Sequence, residues 1–167
     1  MPVESLTTEQ MNLHPLDVLE EVLSAHDREC ERVSETDLFL EISGRWCDYR
    51  LFFHWQEELD ALHFSCIFET RITGDRSAEV HRLLALINER LWLGHFDLAT
   101  PEGTLSFRYT MLQRGAGPVS IEQYEDLLDV AINDSDRYFP AFQFVLWGGK
   151  SAEDALDAAM IEVAGTA

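Results

Sequence analysis

Two alternating apolar stretches, Tyr49–Gln56 and Ala61–Thr70, constrain the fold of this chain more than any other feature. If the chain reverses at Glu58–Leu59, Leu51 falls opposite Cys66, Phe53 opposite Phe64 and Trp55 opposite Leu62. These pairs share one face of an antiparallel hairpin. The other face then pairs Phe52 with Ser65, His54 with His63 and Arg50 with Ile67. Strand side chains repeat with period two, so a slip of one residue would send the whole apolar set to the wrong side. The turn contains neither Gly nor Asn, which leaves its type open.

The rest of the chain arranges itself around this hairpin. Pro15 suits a first helical turn, and Leu16, Leu19, Val22, Leu23 and His26 follow at helical spacing. Glu31–Ser34 is a short candidate strand, and Leu38, Leu40 and Ile42 alternate with Phe39 and Glu41 in another. A second helix is expected from Ser77 to Leu93, with Val80, Leu83, Leu84, Ile87 and Leu91 as its buried stripe and Gly94 as its C-cap. His95–Ala99 and Thr104–Leu112 form a second hairpin that sets Phe96 against Phe107 and Leu98 against Leu105. Ser120 and Gln123 have capping-box spacing at the start of a third helix, and Pro140 is expected to stop it. Ala141–Trp147 is then either a separate turn or a buried extension, before Ser151 caps a last helix. Hairpins followed by helices give an α+β fold, an antiparallel sheet of five to six strands with helices packed on it. Residues 1–14 are expected to form a loose N-terminal arm and 15–167 a single domain.

Charge narrows the partners. The formal net charge of −19 is uneven, with −9 over Met1–Glu41, −2 over Ile42–Val119 and −8 over Ser120–Ala167. Nucleic-acid affinity rests on Lys and Arg neutralising phosphates, so neither nucleic acid nor an anionic membrane surface is an expected partner. The start MPVESLTTEQ lacks a basic segment followed by an apolar one, and no apolar run reaches the ~20 residues of a membrane span. Cys30, Cys47 and Cys66 have no zinc-ligand spacing and read as reduced thiols, which places the chain in the cytoplasm.

The motifs that could carry chemistry are incomplete. Gly149-Lys150-Ser151 ends like a phosphate loop, but Phe144 stands where the pattern needs its first glycine. His54 and His63 are possible cross-strand neighbours, yet zinc wants three or four ligands, Cys66 falls on the opposite face, and the spacing fixes no nearby carboxylate. No catalytic residue, cofactor or metal is therefore expected.

The outer sheet face is more informative. Phe52 and Ile67, with Phe39 if its strand is adjacent, lie on the side away from the Leu51 face. Burying such a side chain contributes roughly 1.5–3 kcal/mol, so three together call for cover, by a helix of the chain or by a partner. Phe39, Phe52, His54, His63 and Ile67 are the candidate partner surface. A small-molecule site or unrecognised enzyme with a pocket near His54 and His63 is the alternative.

The segment Arg137-Tyr-Phe-Pro-Ala-Phe-Gln-Phe-Val-Leu-Trp-Gly-Gly-Lys-Ser-Ala-Glu-Asp-Ala-Leu-Asp-Ala-Ala159 resembles the end of the bacterial YbjN-domain family. Ile87–Leu98, Leu105–Tyr109 and the Arg50-Leu-Phe-Phe53 strand are similar to that family as well. The resemblance implies a fold like the small acidic chaperones of type III secretion, which often dimerise. It implies a role in sensory transduction and brings no catalytic residues. Together these readings favour a non-enzymatic protein-binding regulator or chaperone-like factor of the bacterial cytosol, with a protein partner or a homodimer.

Overall fold

In the computed structural model, which describes residues 13–165, ten elements follow one another along the chain. They are α1 (Pro15–Ala25), β1 (Glu31–Arg32), β2 (Asp37–Ser43), β3 (Asp48–Gln56), β4 (Ala61–Arg71), α2 (Ser77–Asn88), β5 (His95–Ala99), β6 (Thr104–Leu112), α3 (Ile121–Leu146) and α4 (Ala152–Gly165). The strands form one antiparallel sheet in the order β1-β2-β3-β4-β6-β5.

Both hairpin registers are as the alternation predicts. Leu51 pairs with Cys66, Phe53 with Phe64 and Trp55 with Leu62, while Phe96 pairs with Phe107 and Leu98 with Leu105. All ten side chains are buried. The β3–β4 connection is a single 3-10 turn, Glu57–Leu59, closed by Asp60 in the left-handed region at φ 46°. A short polar side chain can adopt that conformation, so the turn works without glycine.

The helices carry their stripes to the same side of the sheet. Phe139 of α3 stacks on Phe68 of β4 at 5.6 Å between ring centroids, and Phe142 and Tyr138 reach Phe96 of β5, each at 5.9 Å. The α1 stripe Leu16, Leu19, Val22 and Leu23 joins the same core, and α1 is tied to α3 by the Tyr124 hydroxyl, which donates to the Pro15 carbonyl at 2.6 Å. His14 belongs to this helix rather than to an arm, because its Nδ1 accepts the Leu16 N–H at 3.2 Å. The remainder of the expected arm, residues 1–12, lies outside the described residues.

Two helix ends differ from expectation. The second helix stops at Asn88, five residues before Leu93, because the Asn88 side chain takes up β5. Its Oδ1 accepts the Phe96 N–H at 2.8 Å and its Nδ2 donates to the Phe96 carbonyl at 3.0 Å. Gly94 therefore precedes a strand instead of capping a helix.

Pro140 does not stop α3, which runs through it to Leu146, so Ala141–Trp147 is the buried-extension alternative. A proline lacks the N–H that would bond the carbonyl four residues back. Here that carbonyl belongs to Asp136, and the Trp46 indole N–H donates to it at 2.9 Å. The β2–β3 turn thus supplies the hydrogen bond that the helix lost. The α3 N-terminus carries the full Ser120–Gln123 capping box, and Ser151 caps α4 by accepting the Asp154 N–H at 3.2 Å.

Candidate functional site

Because the helices gather in one core on the Leu51 face, α4 by way of α2 and α3, the opposite face of the sheet stays open among the described residues. Strand pairing arranges it in three rows across β2, β3, β4 and β6. One row reads Asp37, His54, His63, Thr110; the next Phe39, Phe52, Ser65, Arg108; the third Glu41, Arg50, Ile67, Ser106. The five candidate residues are therefore brought onto one face. Phe39 and Phe52 touch, with ring centroids 5.6 Å apart. Phe52 is 37% exposed, and Phe39, Ile67, His54 and His63 are half-buried by their neighbours within the sheet.

Charge on this face is balanced locally. Arg50 lies 3.3 Å from Glu41 and 3.5 Å from Glu69, and Arg108 lies 3.0 Å from Asp97 of β5. Such exposed pairs contribute about 0–1 kcal/mol each, so their main consequence is an almost neutral surface on a strongly acidic chain.

The two histidines face each other in register but bond elsewhere. His54 sits between two acceptors, with Asp37 Oδ1 2.7 Å from Nδ1 and Gln56 Oε1 3.2 Å from Nε2. Both ring nitrogens can donate only if the imidazole is charged. The Asp37 hydrogen bond accordingly raises the His54 pKa above its ordinary value. The hydroxyl of Ser34 and then His54 hold the Asp37 carboxyl below its own. His63 has hydroxyl partners instead, Thr110 Oγ1 at 2.9 Å and Ser65 Oγ at 3.2 Å, which satisfy a neutral ring. Burial lowers its pKa, and the positive charges of Arg108, His54 and His95 push in the same direction.

Two neighbouring imidazoles shifted in opposite directions are a testable arrangement. In a histidine-resolved NMR titration, His54 should protonate above, and His63 below, the ordinary value of about 6.5. The linkage to stability has opposite signs. His54 contributes stability that is complete below about pH 6.5 and lost as pH rises through its folded value. His63 contributes stability present above about pH 6.5 and lost as pH falls through its folded value. Asp37→Asn should return His54 to the ordinary range. Coincident midpoints for the two rings would contradict this arrangement.

Asp37 was not legible from sequence because its register depends on which strand flanks β3; the alternation starting at Leu38 was the only hint. All four ring nitrogens are engaged, and among the described residues no group of three or more His, Cys, Asp or Glu could hold a metal ion. Two clefts, of about 170 and about 310 Å³, are present, and neither is lined by His54 or His63. Cys66 is on the core face, beside Ser135, and burial pushes its thiol up to about 12. Gly149, at φ 63°, is the turn between α3 and α4. No helix among the described residues is long and apolar enough to cross a membrane.

Comparison with known proteins supplies a family. Residues 15–144 match the profile of the YbjN family, described as "Putative bacterial sensory transduction regulator". Among solved structures the chain is similar to YbjN from E. coli, described as "a putative transcription regulator", with a TM-score of 0.53 and 14% identity over 72% of this chain and 85% of that one. At that identity the likeness concerns the fold. Among curated proteins none matches.

Proposed function

The chain belongs to the YbjN family, and we propose that it is a non-enzymatic bacterial regulator that works by binding another protein through the open face of its sheet. The observation that carries this reading is the Phe39–Phe52 aromatic pair, flanked by Ile67 and the two histidines, on a face that no described helix covers. Covering a half-exposed aromatic pair and its neighbours is favourable by roughly 25 cal/mol per Å² of apolar area. The local balance of charge removes the electrostatic cost that an acidic face would impose on most partners. The small-molecule alternative draws no support, since the histidines line neither cleft.

The test places a photo-crosslinking residue at Phe52 or Ile67 in the bacterial host, with Glu58 in the β3–β4 turn as the control position. The proposal expects one partner band captured from both face positions, absent at Glu58, and lost when Phe39→Ser and Phe52→Ser are combined in a protein with unchanged circular dichroism. Capture equal to that at Glu58, or capture indifferent to the double substitution, would overturn it. A band formed only between two copies of the chain would replace the partner with a homodimer.

A further inference from the structure

The sheet ends unevenly. β6 spans Thr104–Leu112, but its outer neighbour β5 pairs only with Thr104–Arg108, the last pair being His95 with Arg108. Continuing that register would set residues 91–94 opposite residues 109–112. The chain does not continue because Gly94 takes φ 65°, a left-handed turn that L side chains rarely adopt. A Cβ there would lie 2.3 Å from the Phe107 ring and 2.8 Å from the Arg108 carbonyl oxygen. Tyr109, Thr110, Met111 and Leu112 consequently have β4 on one side and, among the described residues, no strand on the other.

The open edge borders a cleft. On the helix side of the sheet a cavity of about 170 Å³ lies between Tyr109 and Met111 of β6 and Leu127 and Val130 of α3, with Leu93 and Asp126 on its rim. Nearby apolar groups are unusually bare, Trp92 being 99% and Leu112 70% exposed. Unpaired strand backbone beside an apolar groove is what an extended peptide needs, since main-chain bonds hold it while alternate side chains fill the groove.

Charge chooses the occupant. The stretch of α3 beside the cleft, Ile121–Val130, contains four Asp and Glu, of which Asp126 lines the cleft itself, and no Lys or Arg. A second copy at this edge would bring two such helices together in chains of net charge −19, whereas a cationic segment would be drawn to it. We propose that Tyr109–Leu112 and the cleft beside it bind an extended segment of another protein, with alternating apolar side chains and flanking Lys or Arg, as an added strand. This site lies apart from the outer-face residues and does not depend on them.

The probe is the synthetic peptide Lys-Lys-Val-Thr-Val-Thr-Leu-Lys-Lys, presented to the full chain at low salt. Binding should slow amide exchange within Tyr109–Leu112. Methylating alternate peptide nitrogens, which removes donors and keeps side chains, should weaken affinity more than about tenfold. A Glu-flanked version should bind at least about tenfold more weakly, and Asp126→Lys should narrow that preference. The Phe39/Phe52 double variant should bind the peptide as the parent does, so failure here and failure of the outer face are separable. Unchanged exchange at Tyr109–Leu112, equal binding of the methylated peptide, or an edge already protected in a dimer seen by sedimentation would overturn the proposal.

Discussion

Replacing Phe96 with alanine should lower the melting temperature by roughly 6–20 °C, the equivalent of about 3–5 kcal/mol. Phe96 is 2% exposed and lies at the centre of an aromatic cluster, 5.4 Å from Phe107, 6.0 Å from Phe68 and 5.9 Å from both Tyr138 and Phe142. It is the main apolar link between the short edge strand β5 and α3. Deleting the ring would leave a cavity bounded by a helix and two strands, whose collapse is limited because all four neighbouring rings are themselves held in the core. Phe52→Ala, on the open face, should cost under about 1 kcal/mol. Thermal unfolding of the two variants side by side is the check. A Phe96→Ala protein that melts within about 2 °C of the parent would mean that β5 is held by its backbone pairs and Asn88 alone.

A second large loss, about 2–4 kcal/mol, is expected from Asp136→Ala. One Asp136 oxygen, Oδ1, accepts the Arg45 N–H at 2.8 Å and the Tyr49 hydroxyl at 2.7 Å. Tyr49 is fully buried, so without that carboxylate its hydroxyl could not reach water and would keep only the weakly accepting Cys47 sulfur as a partner. Burial, then Asp136, keeps the phenol well above its usual ionisation range, as expected of a donor locked to a carboxylate. Asp136→Asn should lose less, since an amide oxygen can still accept. Combining Tyr49→Phe with Asp136→Ala should cost less than the sum of the two alone, because the orphaned hydroxyl is gone; chemical denaturation of the four proteins measures that coupling. Strict additivity would show that the two side chains contribute independently.

Asp136 also shows why part of this fold could be read in advance and part could not. Alternation in Tyr49–Gln56 and Ala61–Thr70 settles pairing, register and buried face, because a strand exposes each residue to one side or the other and only one register keeps the rings together. The same local logic finds the Ser120–Gln123 cap and the α1 stripe. It fails at Pro140, where a rule about one helix's own hydrogen bonds is overridden by an indole from a turn ninety positions earlier. The Asn88 bonds that end α2 likewise involve a strand backbone that periodicity does not see. At the candidate face the aromatic and histidine members were legible. Their acid and hydroxyl partners, Asp37, Thr110 and Ser65, were less so, because they depend on β2 and β6 flanking the central hairpin.

The sequence by itself therefore determined the α+β class, the central register and the near-neutral sheet between two acidic ends, since each follows from side-chain period and charge along the chain. Only the tertiary structure decided which face the helices cover, in which direction each imidazole is shifted, and where, among the described residues, β6 is left without a neighbour. Those outcomes depend on groups far apart in the chain meeting in space, and no local pattern encodes a contact whose other half is elsewhere.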